Sequence, residues 1–450
     1  MHVTESGLWR WLKVVDEAVD VLQENRVALG VRPDRRYTMA MPDGHPLRYH
    51  FSGVAGAGMN PLAQLMKAWG NEVQGSDRSL DQGHNHDLAQ RLIALGVTLA
   101  PQDGKAVKPG IDRFVYSTAV ESETPEFLAA KQLGIELVPR PALLAEVVNN
   151  GKPGIAIAGT SGKSTVTGMV AWIVREAGVS ATVVGGAALV GEGVAGCFAV
   201  GARSGSVIAE ACESDGTLIG YRPTIGVVHN ISRDHSEMES LRSQFATFAE
   251  NCTLALVNAR CAEAVAACAG ASKTHSYALD ADALVRIESV SPGPHRADGV
   301  LHAPGEDPVE FSLPQPGLHN LENAAAAAAV AIELGISSTK IAEALSRFPG
   351  VARRFEVVGV TDSNIRVVDD YAHNVEKIRA AMSAAQAGCA RLVAVFQPHG
   401  YGPARFLRQE LKEALPGLLR PHDRFCYGEI YYSGGTVARD ISSRLLSADL

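Results

Sequence analysis

The part of this chain best suited to chemistry is a run of glycines, hydroxyls and one lysine, Gly159-Thr160-Ser161-Gly162-Lys163-Ser164-Thr165. The run follows an apolar stretch at 155–158 and precedes a helix-like apolar stretch at 166–174. A strand, a glycine turn and a helix N-terminus in that order cradle a phosphate, because backbone amides and the helix dipole face the anion. Lys163 supplies a positive charge, and a hydroxyl reaches Mg²⁺. The run therefore predicts an ATP site. Its motif is shorter than the general phosphate-loop pattern, because Ile157 stands where that pattern has its first glycine. The alternative is a glycine-rich turn with a solvated lysine and no ligand.

Two further apolar stretches, 206–209 and 225–228, each end in polar residues. The acidic segment 210–215 follows the first stretch, and the segment 229–235, which contains two histidines, follows the second. In a parallel α/β sheet, the carboxyl ends of the strands meet at the edge where the site is built. We therefore expect these polar segments to lie beside Lys163.

These segments contain candidate metal ligands. Hard Mg²⁺ prefers oxygen ligands, so a P-loop hydroxyl and a nearby carboxylate form the expected set, and imidazole is a less usual partner. The candidates are Ser164, Glu213 and His235. The alternatives are structural: acids after a strand often cap the next helix, and a lone histidine is often a hydrogen-bonded core residue.

A second glycine-rich segment spans 50–59, after a strand-like stretch and before a helix-like stretch at 62–70. The next strand-like stretch ends at Asp77, where a Rossmann-like unit places an acid that faces a ribose or base. The segment predicts a site for a nucleotide diphosphate, although NAD or no ligand fits the same pattern, since Ala55 replaces a fingerprint glycine. The candidate binding residues are Gly53, Ala55, Gly56, Ala57, Gly58, Met59, Asp77 and Ser117.

Length and composition restrict the class of protein. A chain of 450 residues is too long for one core and suggests about three domains. A hydrophobic content of 46% and a net charge of −8 are typical of a soluble globular protein and give no basic surface for nucleic acid. The 7 cysteines form no Cys-x-x-Cys pair, which indicates reduced thiols in the cytoplasm. No segment is long and apolar enough to span a membrane.

Breaker-rich segments divide the chain. We place the first boundary in the polar segment 149–154 and expect domains at 47–150, 151–350 and 351–450. Residues 1–46 precede the first strand as an N-terminal extension, which contains one apolar helical face between 7 and 23.

The sequence resembles the muramyl ligases of peptidoglycan synthesis, and within them the alanine-adding and muropeptide-recycling branch. Six blocks in order carry the resemblance: 50–59, 159–165, 210–215 with 230–235, 316–324, 350–356 and 369–374. The family implies an α/β fold of three domains: a Rossmann-like UDP-sugar domain, a central P-loop ATPase domain and a C-terminal Rossmann-like domain. It also implies a reaction in which ATP phosphorylates the carboxylate of UDP-N-acetylmuramate and an amino acid or short peptide then attacks the acyl phosphate.

The resemblance also implies roles for individual residues. Those expected at the phosphates and the metal are Lys163, Ser164, Glu213, His235 and Arg354, of which Lys163, His235 and Arg354 are catalytic candidates. Those expected near the adenine are His319, Asn320 and Asn323. Asp370 and the catalytic candidate His373 are expected where nucleotide and amino substrate meet. His399 and Tyr401 are expected at the amino substrate.

Three departures from the family pattern bear on specificity and completeness. Gly400 stands where alanine-adding enzymes place an arginine suited to a carboxylate, so Arg405 is the nearest replacement. Val375 replaces a usual proline. The chain ends at Leu450, where the family's last domain is expected to continue, so we expect an incomplete third domain. No lysine lies between His235 and Cys252, which favours the alanine-adding or recycling branch over later-acting relatives.

We expect L-alanine as the acceptor, with a tripeptide as the alternative. The rival from another class is a non-catalytic, nucleotide-sensing relative that binds ATP and a partner. We expect a monomer or a homodimer.

Overall fold

The computed structural model describes residues 46–117, 120–192, 197–213, 216–232, 237–291, 293–431 and 438–449. The amphipathic helix predicted in the N-terminal extension and the candidate ligand His235 lie outside these residues. In the described part of the chain, the helices are all too short or too polar to cross a lipid bilayer.

The first domain is built on a sheet of five parallel strands. They are β1 (Arg48–Ser52), β2 (Glu72–Ser76), β3 (Thr98–Leu99), β4 (Arg113–Tyr116) and β5 (Glu136–Pro139). Their order is β3-β2-β1-β4-β5, so the chain moves outward from β1 in both directions. This doubly wound order places the ends of β1 and β4 side by side, which is where such a sheet forms its ligand crevice. The predicted glycine-rich segment follows β1 there.

Five helices cover this sheet: α1 (Met59–Ala68), α2 (Arg78–Asp81), α3 (His86–Ala94), α4 (Pro125–Gln132) and α5 (Arg140–Asn149). Every residue of α1 from Met59 to Met66 is buried. A helix that is buried all round lies between two layers of protein. Trp69, which follows α1, donates an indole N–H to Gly201 O of the next domain at 3.4 Å, so α1 lies between the two domains.

The central domain is built on a sheet of ten strands. They are β6 (Gly154–Ala158), β7 (Ala181–Val184), β8 (Cys197–Ala199), β9 (Ser206–Ala211), β10 (Ile225–Val228), β11 (Leu254–Asn258), β12 (Thr274–Leu279), β13 (Val285–Ser291), β14 (Ala297–His302) and β15 (Val309–Leu313). Their order is β15-β14-β13-β12-β11-β10-β6-β9-β7-β8. The strands from β7 to β13 in this order pair in parallel, and β8, β14 and β15 add antiparallel edges. The predicted core strands at 206–209 and 225–228 are confirmed as β9 and β10, which flank β6.

Five α-helices and two short 3-10 helices complete this domain. They are α6 (Lys163–Glu176), α7 (Met238–Asn251), α8 (Ala262–Ala267), α9 (Leu318–Glu333) and α10 (Ser338–Ser346), with 3-10 turns at Thr217–Gly220 and Cys268–Gly270. The six alanines 324–329 of α9 are all buried, because small side chains let this helix pack closely against α6 and the sheet.

The sequence predicts a Rossmann-like third domain, whose described residues, 351–431 and 438–449, form two small sheets and three helices. The strands are β16 (Glu356–Val360), β17 (Arg366–Asp369), β18 (Val393–Phe396) and β19 (Arg424–Tyr427). The helices are α11 (Val375–Ala387), α12 (Tyr401–Leu418) and α13 (Ser443–Ala448). β16 pairs with β17 in antiparallel fashion and β18 pairs with β19 in parallel. A core of Ile378, Met382, Leu407, Leu411 and Leu415 joins α11 to α12.

Candidate active site

The phosphate loop follows β6 as predicted and is held by residues from the next strand. Asn230, just after β10, accepts bonds through Oδ1 from Thr160 Oγ1 at 3.1 Å and from Ser161 N at 2.8 Å. Gly162 caps α6 with a φ of +79°, and a Cβ there would collide with Asn323 Oδ1. Only glycine fits this left-handed, crowded position without strain. The loop therefore has a fixed shape that leaves the N-terminus of α6 available to an anion.

Lys163 lies between the loop and an acidic side chain. Its Nζ donates to Gly159 O at 2.5 Å and to Glu213 Oε2 at 2.8 Å. Burial would lower the pKa of Lys163, but the charges of Glu213 and Glu210 outweigh burial and raise it. The lysine is therefore a fixed cation at the loop, as a phosphate-binding role requires.

The hydroxyl of Ser164 points at a carboxylate that the sequence did not single out. Ser164 Oγ donates to the two oxygens of Glu210 at 3.0 and 3.2 Å. Glu210 lies near the end of β9, in register with Ile157 of β6, so its side chain reaches the same sheet edge as the loop. The signal in the sequence was its place as the first acid of the segment 210–215.

Oxygen atoms beside Lys163 and Ser164 of the phosphate loop fit Mg²⁺. Glu210 and Glu213 supply carboxylates, and Ser164 supplies a hydroxyl. Across the ranges with assigned structure, no group of three or more His, Cys, Asp and Glu side chains is arranged to hold a metal alone. Mg²⁺ usually takes one or two carboxylates and completes its shell with water and substrate phosphates. A site of this composition therefore suits an ion that arrives with ATP.

An arginine from the linker into the third domain reaches the same point. Arg354 Nη2 donates to Ser164 Oγ at 3.3 Å, and its guanidinium stacks 5.0 Å from the ring centre of Tyr371. The flanking residues Arg353 and Phe355 have φ of +59° and +51°. These are left-handed conformations that side chains rarely adopt, so the surrounding structure holds the linker in this form.

Asp370, the residue directly after β17, holds that linker in place. Its oxygens accept backbone N–H groups from Phe355 and Ala372, each at 2.7 Å. Burial raises the pKa of Asp370, while those two bonds and the charge of Arg354 act in the opposite direction. A role of Asp370 in ATP binding stays a prediction, since both oxygens already have backbone partners.

A cleft of about 2520 Å³ opens between the central and third domains. Four predicted site residues from three separate segments line it together: Arg354, Asp370, His373 and His399. Within it, His373 Nδ1 donates to Tyr371 O at 2.8 Å, and its Nε2 lies 3.2 Å from Lys377 Nζ. Arg354 therefore lines this cleft and contacts Ser164 of the phosphate loop at the same time.

The three residues expected near adenine occupy different positions at the start of α9. His319 is exposed, whereas Asn320 and Asn323 are buried. Asn323 Oδ1 bonds to Nε2 of His229 at 3.0 Å, and His229 Nδ1 bonds to Tyr277 O–H at 2.8 Å. Asn323 therefore supports the underside of the phosphate loop at Gly162, and His229 is a supporting residue that sequence reasoning missed.

In the first domain, the glycine-rich segment and its neighbours also come together. A Cβ on Gly53 would lie 4.0 Å from Ser117 Cβ, so the ends of β1 and β4 meet as expected. Asp77 accepts from Ala55 N at 3.0 Å and caps α2 through Ser79 N at 2.8 Å. Asp77 thus shapes the loop, and its contact with a ribose stays a prediction.

Arg140, at the start of α5, is a cation beside that loop. A Cβ on Gly58 would lie 2.9 Å from Cδ and 3.3 Å from Nη1 of Arg140. Its position directly after β5, at the carboxyl edge of the sheet, was the signal in the sequence that it could reach the ligand crevice.

The residues expected at the amino substrate lie around the start of α12. His399 stacks on Tyr431 at 4.8 Å, and Tyr401 is half-buried in the first turn. Arg405 donates to Ala438 O at 3.0 Å and forms an ion pair with Asp440. Its guanidinium is engaged by the segment before α13, so its role with an amino substrate stays a prediction.

Three models of the Mur ligase family match the chain in order. They are the Mur ligase family catalytic domain at residues 48–152, the Mur ligase middle domain at 157–331 and the Mur ligase glutamate ligase domain at 353–427. The UDP-N-acetylmuramate–L-alanine ligase of Xanthomonas oryzae pv. oryzae (strain PXO99A) is 34% identical over 415 residues, which cover 89% of this chain and 84% of the relative. The same enzyme of Xanthomonas campestris pv. campestris (strain B100) has the same identity and coverage.

Two solved structures share the fold. The UDP-N-acetylmuramate-alanine ligase of Thermotoga maritima has a TM-score of 0.69 and 24% identity, with 85% of this chain and 91% of that chain covered. The murein peptide ligase of Psychrobacter arcticus 273-4 has a TM-score of 0.67 and 24% identity, with 79% of each chain covered. The three-domain α/β architecture expected from the sequence is confirmed, and the third domain is present.

Proposed function

Because this chain belongs to the Mur ligase family, we propose that it is an ATP-dependent ligase that joins the carboxylate of UDP-N-acetylmuramate to an amine, with L-alanine as the favoured acceptor. The observation that carries the proposal is the convergence on Ser164: Glu210 of the central sheet and Arg354 of the linker both contact its hydroxyl. A phosphate loop, a carboxylate and an arginine from the linker into the third domain, all in contact, are the parts that phosphoryl transfer needs.

In the first step, an oxygen of the substrate carboxylate attacks the γ-phosphorus of ATP. The bond from that phosphorus to the bridging oxygen breaks, and ADP leaves. Backbone amides of the phosphate loop and Lys163 hold the phosphates, and Arg354 neutralises charge that develops on the transferred group. Positioning and charge neutralisation are the main protein contributions to such a reaction.

Ser164, Glu210 and Glu213 are the described residues that would hold Mg²⁺. When bound, the ion supplies charge neutralisation on the phosphate oxygens. Glu213 accepts from Lys163 Nζ at 2.8 Å, so its carboxylate would be shared between the ion and the lysine. Lys163 would stay beside the phosphates as a fixed cation.

In the second step, the neutral amine attacks the carbonyl carbon of the acyl phosphate. The carbon–oxygen bond to the phosphate breaks, the amine nitrogen loses a proton, and an amide and inorganic phosphate result. The cleft lined by Arg354, His373 and His399 is where the amine is expected to enter. Its residues come from the linker and the third domain, so this domain completes the site.

The first domain is proposed to hold the UDP moiety at the loop that follows β1. The loop's backbone and the guanidinium of Arg140 face the same space beside Gly58. A cation at that position complements a diphosphate, because arginine binds phosphate oxygens through several N–H groups.

The identity of the acceptor decides between two reactions. Curated relatives are named for L-alanine, while one structural neighbour is a murein peptide ligase. Phosphate release from ATP, measured with UDP-N-acetylmuramate and a panel of amino acids and peptides, tests both points. Release that needs L-alanine supports the proposal. Release only with a tripeptide assigns the recycling reaction, and no release with any acceptor contradicts the ligase function.

A further inference from the structure

A buried carboxylate in the first domain joins the ends of two neighbouring strands. Glu126, in the first turn of α4, accepts bonds at Oε2 from Ser52 Oγ and from Ser76 Oγ, each at 2.7 Å. Ser52 is the last residue of β1 and Ser76 is the last residue of β2, and the two are register partners. One carboxylate oxygen therefore ties the two strands together where they end.

The second oxygen of Glu126 is also engaged. His50 Nε2 lies 3.0 Å from Oε1, and His50 Nδ1 lies 2.8 Å from Gln74 Nε2, which in turn donates to Ala106 O at 2.8 Å. The ring of His50 stacks on Phe114 at 5.3 Å. The cluster thus fixes α4 against three strands of the sheet.

The cluster is fully removed from water. His50, Ser52 and Glu126 are 0% exposed and Ser76 is 1% exposed. Burial pushes the pKa of Glu126 upward, but the bonds from His50, Ser76 and Ser52 outweigh it and lower that pKa. A buried polar network of this kind costs stability unless every member is hydrogen-bonded. Apolar side chains of the same volume would fill this space as well if the cluster only stabilised the domain.

The strand ends that Glu126 joins lead directly into the candidate UDP-sugar loop. Gly53 N and Val54 N both donate to Ser76 O, at 2.8 and 3.0 Å. The next residue of the loop, Ala55, donates to Asp77, which follows Ser76. The position of the glycine-rich segment is therefore set through Ser76 and Asp77, and Ser76 is set by Glu126.

We propose that Glu126 is a positioning residue for the UDP-sugar site, which holds the glycine-rich loop in its binding shape through Ser52 and Ser76. The inference rests on the proposed function, because it takes the loop after β1 to bind the UDP moiety. Glu126 does not touch the ligand in this arrangement. It acts through the two serines.

The test uses the full chain and UDP as the probe, with affinities measured by isothermal titration calorimetry. We expect Glu126→Gln to weaken UDP binding about tenfold or more, since small displacements of positioning groups are expensive. ATP affinity should not change, because the phosphate loop belongs to the sheet of the central domain and Glu126 packs on the sheet of the first domain. Glu121→Gln, an exposed acid five residues earlier in the same segment, is the matched control and should bind UDP like the wild type.

Ser76→Ala keeps the carboxylate and removes one of its partners, so it serves if Glu126→Gln fails to fold. It should lower UDP affinity by less than Glu126→Gln and again leave ATP affinity unchanged. Unchanged UDP affinity in a variant whose melting temperature falls would show that the cluster only stabilises the domain, and would overturn the inference alone. Wild-type protein that binds ATP but no UDP would instead overturn the proposed UDP-sugar site.

Discussion

Arg354 donates a hydrogen bond of 3.3 Å to the hydroxyl of Ser164, so the linker into the third domain contacts the phosphate loop of the central domain. The contact depends on a strained linker, in which Arg353 and Phe355 have positive φ. The phosphate loop and the linker into the third domain are therefore joined through one guanidinium.

Replacement of Arg354 tests that link. Arg354→Ala should lower kcat by at least about a hundredfold, because an arginine that reaches the transferred phosphate stabilises the transition state strongly. Arg353→Ala is the control: that side chain also stacks on Tyr371, at 4.7 Å, but is more than half exposed. Steady-state rates of phosphate release measure both. Equal losses in the two variants would assign the effect to linker stability.

Lys163→Ala should reduce turnover by at least about a hundredfold through lost charge stabilisation at the phosphates. The exposed Lys340 on α10 provides the control variant Lys340→Ala, which should retain full activity. Near-normal amide formation in Lys163→Ala would remove the assignment of the loop as the catalytic phosphate site. Phosphate release and product mass are the two measurements.

Replacing either acid at the phosphate loop, Glu210 or Glu213, should change the Mg²⁺ concentration that activity requires. Replacing a surface acid should not. Glu210→Gln and Glu213→Gln are each expected to raise the Mg²⁺ concentration for half-maximal activity about tenfold, with a nearly unchanged melting temperature. The exposed Glu343 on α10 gives the control Glu343→Gln. A stability loss of about 1 kcal/mol with an unchanged Mg²⁺ titration would indicate a structural role instead.

Gly400 has a φ of +97°, a backbone conformation that residues with a side chain rarely adopt. Gly400→Ala should destabilise the third domain by about 1 kcal/mol or more, because Cβ clashes in that conformation. Gly402, two residues later in α12, has open space at its Cβ, so Gly402→Ala should be neutral or slightly stabilising. Thermal melting of both variants decides; equal melting temperatures would contradict the strain argument.

Asp423 gives a pH-dependent prediction for the third domain. Bonds from Arg420 hold the pKa of this carboxyl far below 3.8, against the opposing effect of burial, and Leu392 N and Gln386 Nε2 add further bonds. A folded-state pKa below the unfolded value stabilises the protein above the unfolded pKa, and the benefit is lost as pH falls toward the folded value.

Asp423→Asn should therefore cost about 2 kcal/mol at pH 7, and the difference from wild type should shrink below about pH 4. The exposed Asp362 in the β16–β17 turn supplies the control Asp362→Asn. Urea unfolding midpoints between pH 7 and pH 3 give the comparison. A constant difference over that range would show that the charge of Asp423 is not what matters.

Local patterns predicted most of the architecture. Apolar runs that end in glycine or polar residues predicted β6, β9 and β10, and the order of the sequence blocks predicted three domains. Such patterns are readable because strands and phosphate loops are encoded within about twenty residues. The pairing of Glu210 with Ser164 was not predicted, since it depends on the register between two strands.

Contacts between segments that lie far apart in the sequence could not be predicted for the same reason. Glu126 and Ser52 are separated by 74 positions, and no repeat or spacing relates them. Arg405 was assigned from its sequence distance to Gly400, yet its partner Asp440 lies 35 positions away. A side chain's neighbours across the fold decide whether it is available to a ligand.

The supports of the phosphate loop come from late in the chain, and this has a consequence for synthesis. Thr160 is held by Asn230, 70 positions later, and His229 beside it is held by Asn323 after a further 94 positions. Contacts of such long sequence separation form slowly and only after both partners have left the ribosome. Nascent chains that stop before α9 should therefore expose an unfinished loop, and capture by immobilised ATP should begin only when that helix has emerged.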